Sequence, residues 1–471
     1  MNDEKTGVRP ENKMGVMPIN RLLLTMSLPM IVSMLVQALY NIVDSVFVAM
    51  LSEQALTSVS LAFPAQMLMI SVGGGTGVGM NALLSRSLGE RNFEVANRAG
   101  RNGLFLAAAA AVIFAVAGIF LSAPFFASQT DIAGIADGGA VYLRICYVCS
   151  FGVLYQMTLE RLLQSTGRTL HSMLVQLFGA IINIILDPVM IFGLLGFPRL
   201  GVAGAALATV TGQCSAALLA AYINVRKNRE INLDMRGFRP DWAIIKRIYS
   251  VGAPSILMAS IGSVMVFGFN TILIQFTTTA AAVFGVYFKL QSFIFLPIFG
   301  LNNGMVPIIA YNFGACRPER VKRTVTLSVC YATGIMLAGL AVFWLFTPQL
   351  LGLFNASEAM LLIGIPALRR ISLSFMFAGF CICTLSVCQA LGHGIPSLIV
   401  SIVRQLVVVL PAAYILARLW GLEAVWWSFI IGELVSVALC VYYMRRMYVS
   451  EIKPLGAVCR CAAAATEEGR A

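Results

Sequence analysis

Two aspartates lie in stretches that are otherwise mostly apolar, and the residues around them are spaced to share a helix face. In ALYNIVDSVFV, residues 38–48, Asp44 closes a series of Ser33, Gln37, Tyr40, Asn41 and Asp44. Steps of three and four draw a polar stripe along a helix. In FGAIINIILDPVMIF, residues 178–192, Asn183 and Asp187 extend a second series that starts at Gln176. An ionised acid mid-membrane costs ~2.5–3.5 kcal/mol on insertion scales, so acids there face a bundle interior or water and are kept for function. Pro188 follows Asp187 and supplies no backbone donor, which leaves the Ile184 carbonyl free one turn back. A loose carbonyl beside a carboxylate outlines a cation site, and two such carboxylates serve a proton or a sodium ion equally well. The plainer reading is that each acid caps or snorkels at a span end, and that Gln37, Tyr40 and Gln176 only join helices. Glu160, in TLERLLQ, is a third acid near a span end, where Arg161 and Arg144 are expected to neutralise it.

The elements that must position these residues are transmembrane helices. Of the 471 residues, 59% are hydrophobic and only 11% charged, against about 25% charged in soluble domains. Twelve apolar stretches reach the roughly 20 residues needed to cross a bilayer, near 22–50, 55–83, 102–123, 138–159, 170–195, 201–224, 246–275, 279–311, 324–347, 361–388, 396–417 and 422–444. Nothing alternates in the ~10-residue units of a membrane barrel, so the fold class is an all-α integral membrane protein. The formal charge of +12 is not a nucleic-acid footprint, because Lys and Arg gather at alternate connections. That is the positive-inside pattern. It places both termini and the long central loop in the cytoplasm. The polar first twenty residues predict a retained first span rather than a cleaved signal.

The chain repeats itself at a separation of 225 positions: Pro29 with Pro254, Phe63 and Gln66 with Phe288 and Gln291, Gly89 with Gly314, Arg144 with Arg369, and Gln164 and Gly167 with Gln389 and Gly392. The expected organisation is a cytoplasmic tail over 1–20, a six-helix lobe over 21–224, a cytoplasmic loop over 225–245, a second lobe over 246–446 and a tail over 447–471. An even number of spans per repeat makes the lobes parallel repeats, with substrate expected in a central cavity between them. The repeat is not symmetric in charge: Asp44 meets Phe269 and Asp187 meets Ala412. The second lobe reads as holding no acid deep in a span. Its embedded cations, Lys289 and Arg404, are expected to snorkel or to meet helix C-terminal carbonyls. Ion handling is therefore expected in the first lobe. The glycine-rich SVGGGTGVGM, residues 71–80, fits neither a GxxxxGK[ST] nor a GxGxxG loop, and reads as a place where helices approach closely. No nucleophile–base or zinc motif supports an enzyme.

ALYNIVDSVFV in the first span, NIILDPVMIFGLLG in the fifth and the paired LLQSTGR and CQALGHG segments resemble the MATE family of multidrug and toxic compound extrusion transporters, over roughly residues 18–447. The resemblance implies an inner-membrane antiporter without a cofactor. It would export organic cations and other amphipathic small molecules in exchange for Na+ or H+. It also implies an ion-coupling site of Asp44, Asn183, Asp187 and, in GAALATVTG, Thr209. Gln37, Tyr40, Asn41, Gln176 and Glu160 are the residues expected to line the substrate cavity. Some branches of the family carry key acids in the second lobe. Two self-contained lobes suffice as a monomer among membrane lipids. Two rival readings are a flippase for lipid-linked precursors, which would want a basic cavity, and a membrane receptor or structural protein that transports nothing.

Overall fold

The structure is a computed structural model that describes residues 11–456; the outer parts of the expected tails, residues 1–10 and 457–471, lie outside the described residues. A single turn, α1 (Lys13–Val16), precedes α2 (Ile19–Ala49), α3 (Glu53–Gly89) and α4 (Phe93–Ala127). The pair α5 (Ala133–Val148) and α6 (Phe151–Ser165) follows, then α7 (Thr169–Phe192) and α8 (Val202–Lys227). The second half runs through α9 (Trp242–Ile274), α10 (Thr278–Gly314), α11 (Pro318–Leu345) and the short α12 (Thr347–Gly352). It continues with the pair α13 (Glu358–Ser372) and α14 (Phe375–Ala390). Next comes a span made of α15 (Gly394–Ile402), a π-helical stretch (Val403–Val409) and α16 (Leu410–Trp420), and finally α17 (Leu422–Val425) and α18 (Ser428–Met447).

Among the described residues ten helices are long and apolar enough to cross a membrane, and two bent pairs, each counted as one span, bring the number to twelve. The spans expected at 138–159 and 361–388 are those pairs, α5–α6 bent by 46° and α13–α14 by 49°. At the first bend the Ser150 hydroxyl donates to the Ala111 carbonyl of α4, 3.2 Å away; a side chain drawn off the helix accompanies the break. Several helices outrun their apolar stretches. Ser52 caps α3, accepting from the Ala55 amide at 3.0 Å, and Asn92 caps α4, accepting from the Val95 amide at 3.1 Å. Polar caps set the helix ends, whereas hydropathy marks only the part in hydrocarbon.

The repeat reappears in the seam between the lobes, where α2 packs on α10 and α3 on α9. On Gly300 a Cβ would lie 2.6 Å from the Ile31 Cα, and on Gly304 it would lie 2.8 Å from the Ser27 Cα. Shifted by 225 positions, the same contacts recur: a Cβ on Gly75 would lie 2.8 Å from the Gly252 carbonyl oxygen and against Ile256. Gly79 abuts the backbone of Ile248 and Gly252. Gly89 and Gly314 complete the series, each leaving no room for a Cβ against the Tyr311 and Arg86 carbonyls respectively. The glycine-rich stretch of α3 is thus a helix-contact surface, as its composition predicts.

Candidate functional site

In the first lobe α7 and α8 approach closely because small residues face each other: a Cβ on Gly179 would sit 3.1 Å from the Gly212 carbonyl oxygen and 2.9 Å from the Ala216 Cβ. That approach brings Asn183 across to Thr209. The Asn183 amide nitrogen donates to Asp187 Oδ1 at 3.3 Å and to Thr209 Oγ1 at 3.4 Å. Asn183 and Asp187 are buried. α2, which carries Asp44, lies along α7, which carries Asp187. Three acceptor oxygens here, Asp44 Oδ1, Asn183 Oδ1 and Asp187 Oδ2, are buried without a hydrogen-bond partner. A buried acceptor left unpaired is costly, and a proton or a hard cation with oxygen ligands is what would relieve it. Among the described residues no group of three or more His, Cys, Asp or Glu forms a metal cluster.

Beside the cluster is a cavity of about 130 Å3 lined by Gln37, Tyr40, Glu160, Gln176, Asn183 and Thr209 with others. Asn41 is exposed and does not line it. At 100° per residue Ser33, Gln37, Tyr40 and Asp44 fall within one narrow stripe, and Asn41 falls to its side. Glu160 corrects a second expectation. It forms no ion pair with Arg161 or Arg144. Instead Gln156 donates to its Oε1 at 2.9 Å. Arg161 is committed elsewhere, to Gln164 and, across the lobes, to Asn303, both at 2.9 Å. Adjacent residues on a helix do not face the same way.

The second lobe overturns a third expectation. It does hold an acid deep in a span: Glu433, on α18, is 8% exposed. Its Oε1 accepts from Arg404 Nη1 at 2.8 Å. Arg404 therefore neither snorkels nor meets a helix end. Lys289 is exposed, with its ammonium 5.9 Å from the Phe354 ring centre. The pair faces a separate cavity of about 610 Å3, which first-lobe residues Asn81 and Arg161 also line. Glu433 carried the same signal as Asp44, a lone acid in the apolar run SFIIGELVSVAL. It stands in no polar stripe, and its repeat partner is Ala208, so following the repeat from the first-lobe acids leads past it.

Two lobes of apolar helices meeting on a glycine seam, with unpaired buried carboxylates and a cavity between them, define a multi-pass membrane transporter. A family model described as MatE matches residues 29–189 and again 254–415. The chain belongs to the MatE family. It is 30% identical over 434 residues to the multidrug export protein MepA of Staphylococcus haemolyticus, covering 88% of this chain and 91% of that protein. It is 26% identical over 437 residues to an FAD transporter of Shewanella oneidensis, covering 91% and 95%. An outward-facing structure of a multidrug resistance MATE family transporter of the MOP superfamily superposes with a TM-score of 0.87 at 27% identity, covering 95% of this chain and 100% of that one.

Proposed function

We propose that this protein is a multidrug efflux antiporter of the inner membrane that exchanges amphipathic small molecules, organic cations among them, for Na+ or H+. The lobes over 21–224 and 246–446 rock about the glycine seam, with both termini in the cytoplasm. Asp44, Asn183, Asp187 and Thr209 are the coupling-ion site. The observation that carries this reading is the set of three unpaired buried oxygens on α2 and α7, beside a polar cavity in a member of this family. Ion entry neutralises the carboxylates and lets α2 and α7 repack. Substrate release requires ion and cargo to favour different lobe arrangements by a few kcal/mol. A second reading, export of an anionic dinucleotide, draws on the FAD transporter similarity and on Arg161 and Arg404 in the large cavity. Glu433 neutralises Arg404, which favours the first.

The test is transport of fluorescent organic cations in proteoliposomes under an imposed pH gradient or an imposed Na+ gradient, for wild type and Asp44→Asn. Uptake driven by one gradient and lost in the variant supports antiport through this site. Gradient-driven transport that survives Asp44→Asn removes the site assignment. Folded protein that moves none of the cations sinks the efflux reading.

A further inference from the structure

The large second-lobe cavity has aromatic walls, with Phe284, Tyr287, Phe288, Phe295, Phe299 and Phe429 among them. Set into these walls is the Arg404–Glu433 pair. Polar valences around it are unused. Glu433 Oε2, the Tyr287 hydroxyl and Asn302 Nδ2 are all buried without a hydrogen-bond partner, on side chains that are 8%, 1% and 5% exposed. Among the described residues the one hydrogen bond from the Arg404 guanidinium goes to Glu433.

The repeat does not keep these charges. Shifted by 225 positions, Arg404 and Glu433 correspond to Gly179, where α7 closes on α8, and to the small, buried Ala208. The second lobe instead opens a cavity there, and Arg404 lies in the π-helical stretch Val403–Val409, a distortion common at functional sites. The position of Asp44 is taken by Phe269, packed on Phe284 and Phe429 at ring separations of 4.7 and 4.9 Å. The second lobe has thus exchanged an unpaired acid for a charge pair in an aromatic chamber.

We propose that this cavity binds zwitterionic amphiphiles: an aromatic body bearing one ammonium and one carboxylate, whose ends exchange with the ion pair, ammonium to Glu433 and carboxylate to Arg404. The charge balance carries the choice. A lone cation on the free Glu433 oxygen adds an uncompensated positive charge beside Arg404, and a lone anion on Arg404 adds an uncompensated negative charge beside Glu433. Separating one member of a buried pair from its counter-charge is strongly unfavourable, whereas replacing both partners at once is not. Only a ligand with both charges leaves neither member of the pair without a counter-charge. A cavity of about 610 Å3 suits a drug-sized body, and the aromatic walls cover its apolar part. The proposal rests on the export reading only in calling the ligand cargo; binding itself does not depend on it.

The experiment measures binding by the full chain in nanodiscs, using three probes that share one polycyclic aromatic ring: an amino acid, its methyl ester and its N-acetyl derivative. They are a zwitterion, a cation and an anion. Wild type should bind the zwitterion about tenfold or more tightly than either relative, the scale of one charge-assisted contact. Glu433→Gln and Arg404→Gln should each lose that preference. The double variant, which leaves no charge stranded and so is the safest to fold, should bind the three probes alike. Wild type binding the ester as tightly as the zwitterion overturns the proposal without any variant, and so does a double variant that keeps the preference. Efflux in cells separates the two readings: a zwitterion preference in nanodiscs with no export leaves the site standing and removes the export reading.

Discussion

The seam between the lobes makes a quantitative demand. In the arrangement described, α2 and α10 touch through Gly300 and Gly304, where a Cβ would lie 2.6 Å from the Ile31 Cα and 2.8 Å from the Ser27 Cα. Backbone atoms cannot turn aside as a side chain can, and carbon atoms meet favourably only at about 3.5–4.0 Å. Gly304→Ala must therefore push the helices apart by roughly 1 Å, an overpacking that costs about 1–3 kcal/mol. If the lobes exchange between two arrangements, that cost is charged to this one and shifts the equilibrium by about 5- to 150-fold. The control is Gly334→Ala on α11, where a Cβ would meet nothing within 4 Å; there the change should be neutral or slightly stabilising through the unfolded chain. Spin-label distances across the seam, in nanodiscs, measure the population directly, and transport assays should show reduced turnover for Gly304→Ala. Distance distributions for Gly304→Ala that match those of Gly334→Ala would refute the reasoning. So would a loss of stability with no change in the lobe equilibrium, since the seam would then be structural only.

Two further predictions follow from local geometry. Thr209→Val removes the hydroxyl that accepts from Asn183 at 3.4 Å and keeps the shape; half-saturating ion concentration in gradient-driven transport should rise about fivefold, the value of one hydrogen bond, while Thr209→Ser should restore it. Outside the spans, burial and then the nearby Arg168 hold the Lys13 ammonium below its ordinary range, against an opposing pull from Glu230. The charged form is the penalised one in the fold, so the penalty is full at low pH and fades as pH rises from the lowered folded value toward 10.5. Lys13→Met should raise the melting temperature at pH 7 and flatten its climb at alkaline pH, read by thermal unfolding in detergent.

Sequence alone determined the parts of this protein that follow from periodicity and composition. Apolar length makes the spans, because a helix satisfies its own backbone in hydrocarbon. The separation of 225 positions made the repeat legible, and the structure adds to it the glycines at 75, 79, 300 and 304 that the seam requires. Asp44 and Asp187 stood out because isolated acids in apolar runs are rare. What tertiary structure decided is which polar groups meet. Arg161 lies next to Glu160 in the chain, yet it reaches Asn303 in the other lobe while Gln156 takes Glu160. Asn41 belongs to the polar series by spacing and falls outside the cavity because one residue is a turn of 100°. Arg404 and Glu433 are 29 positions apart in different spans, and only the docking of α18 against the π-helical stretch makes them a pair. Helix periodicity is a property of neighbours along the chain, whereas a charge pair between helices depends on how those helices pack.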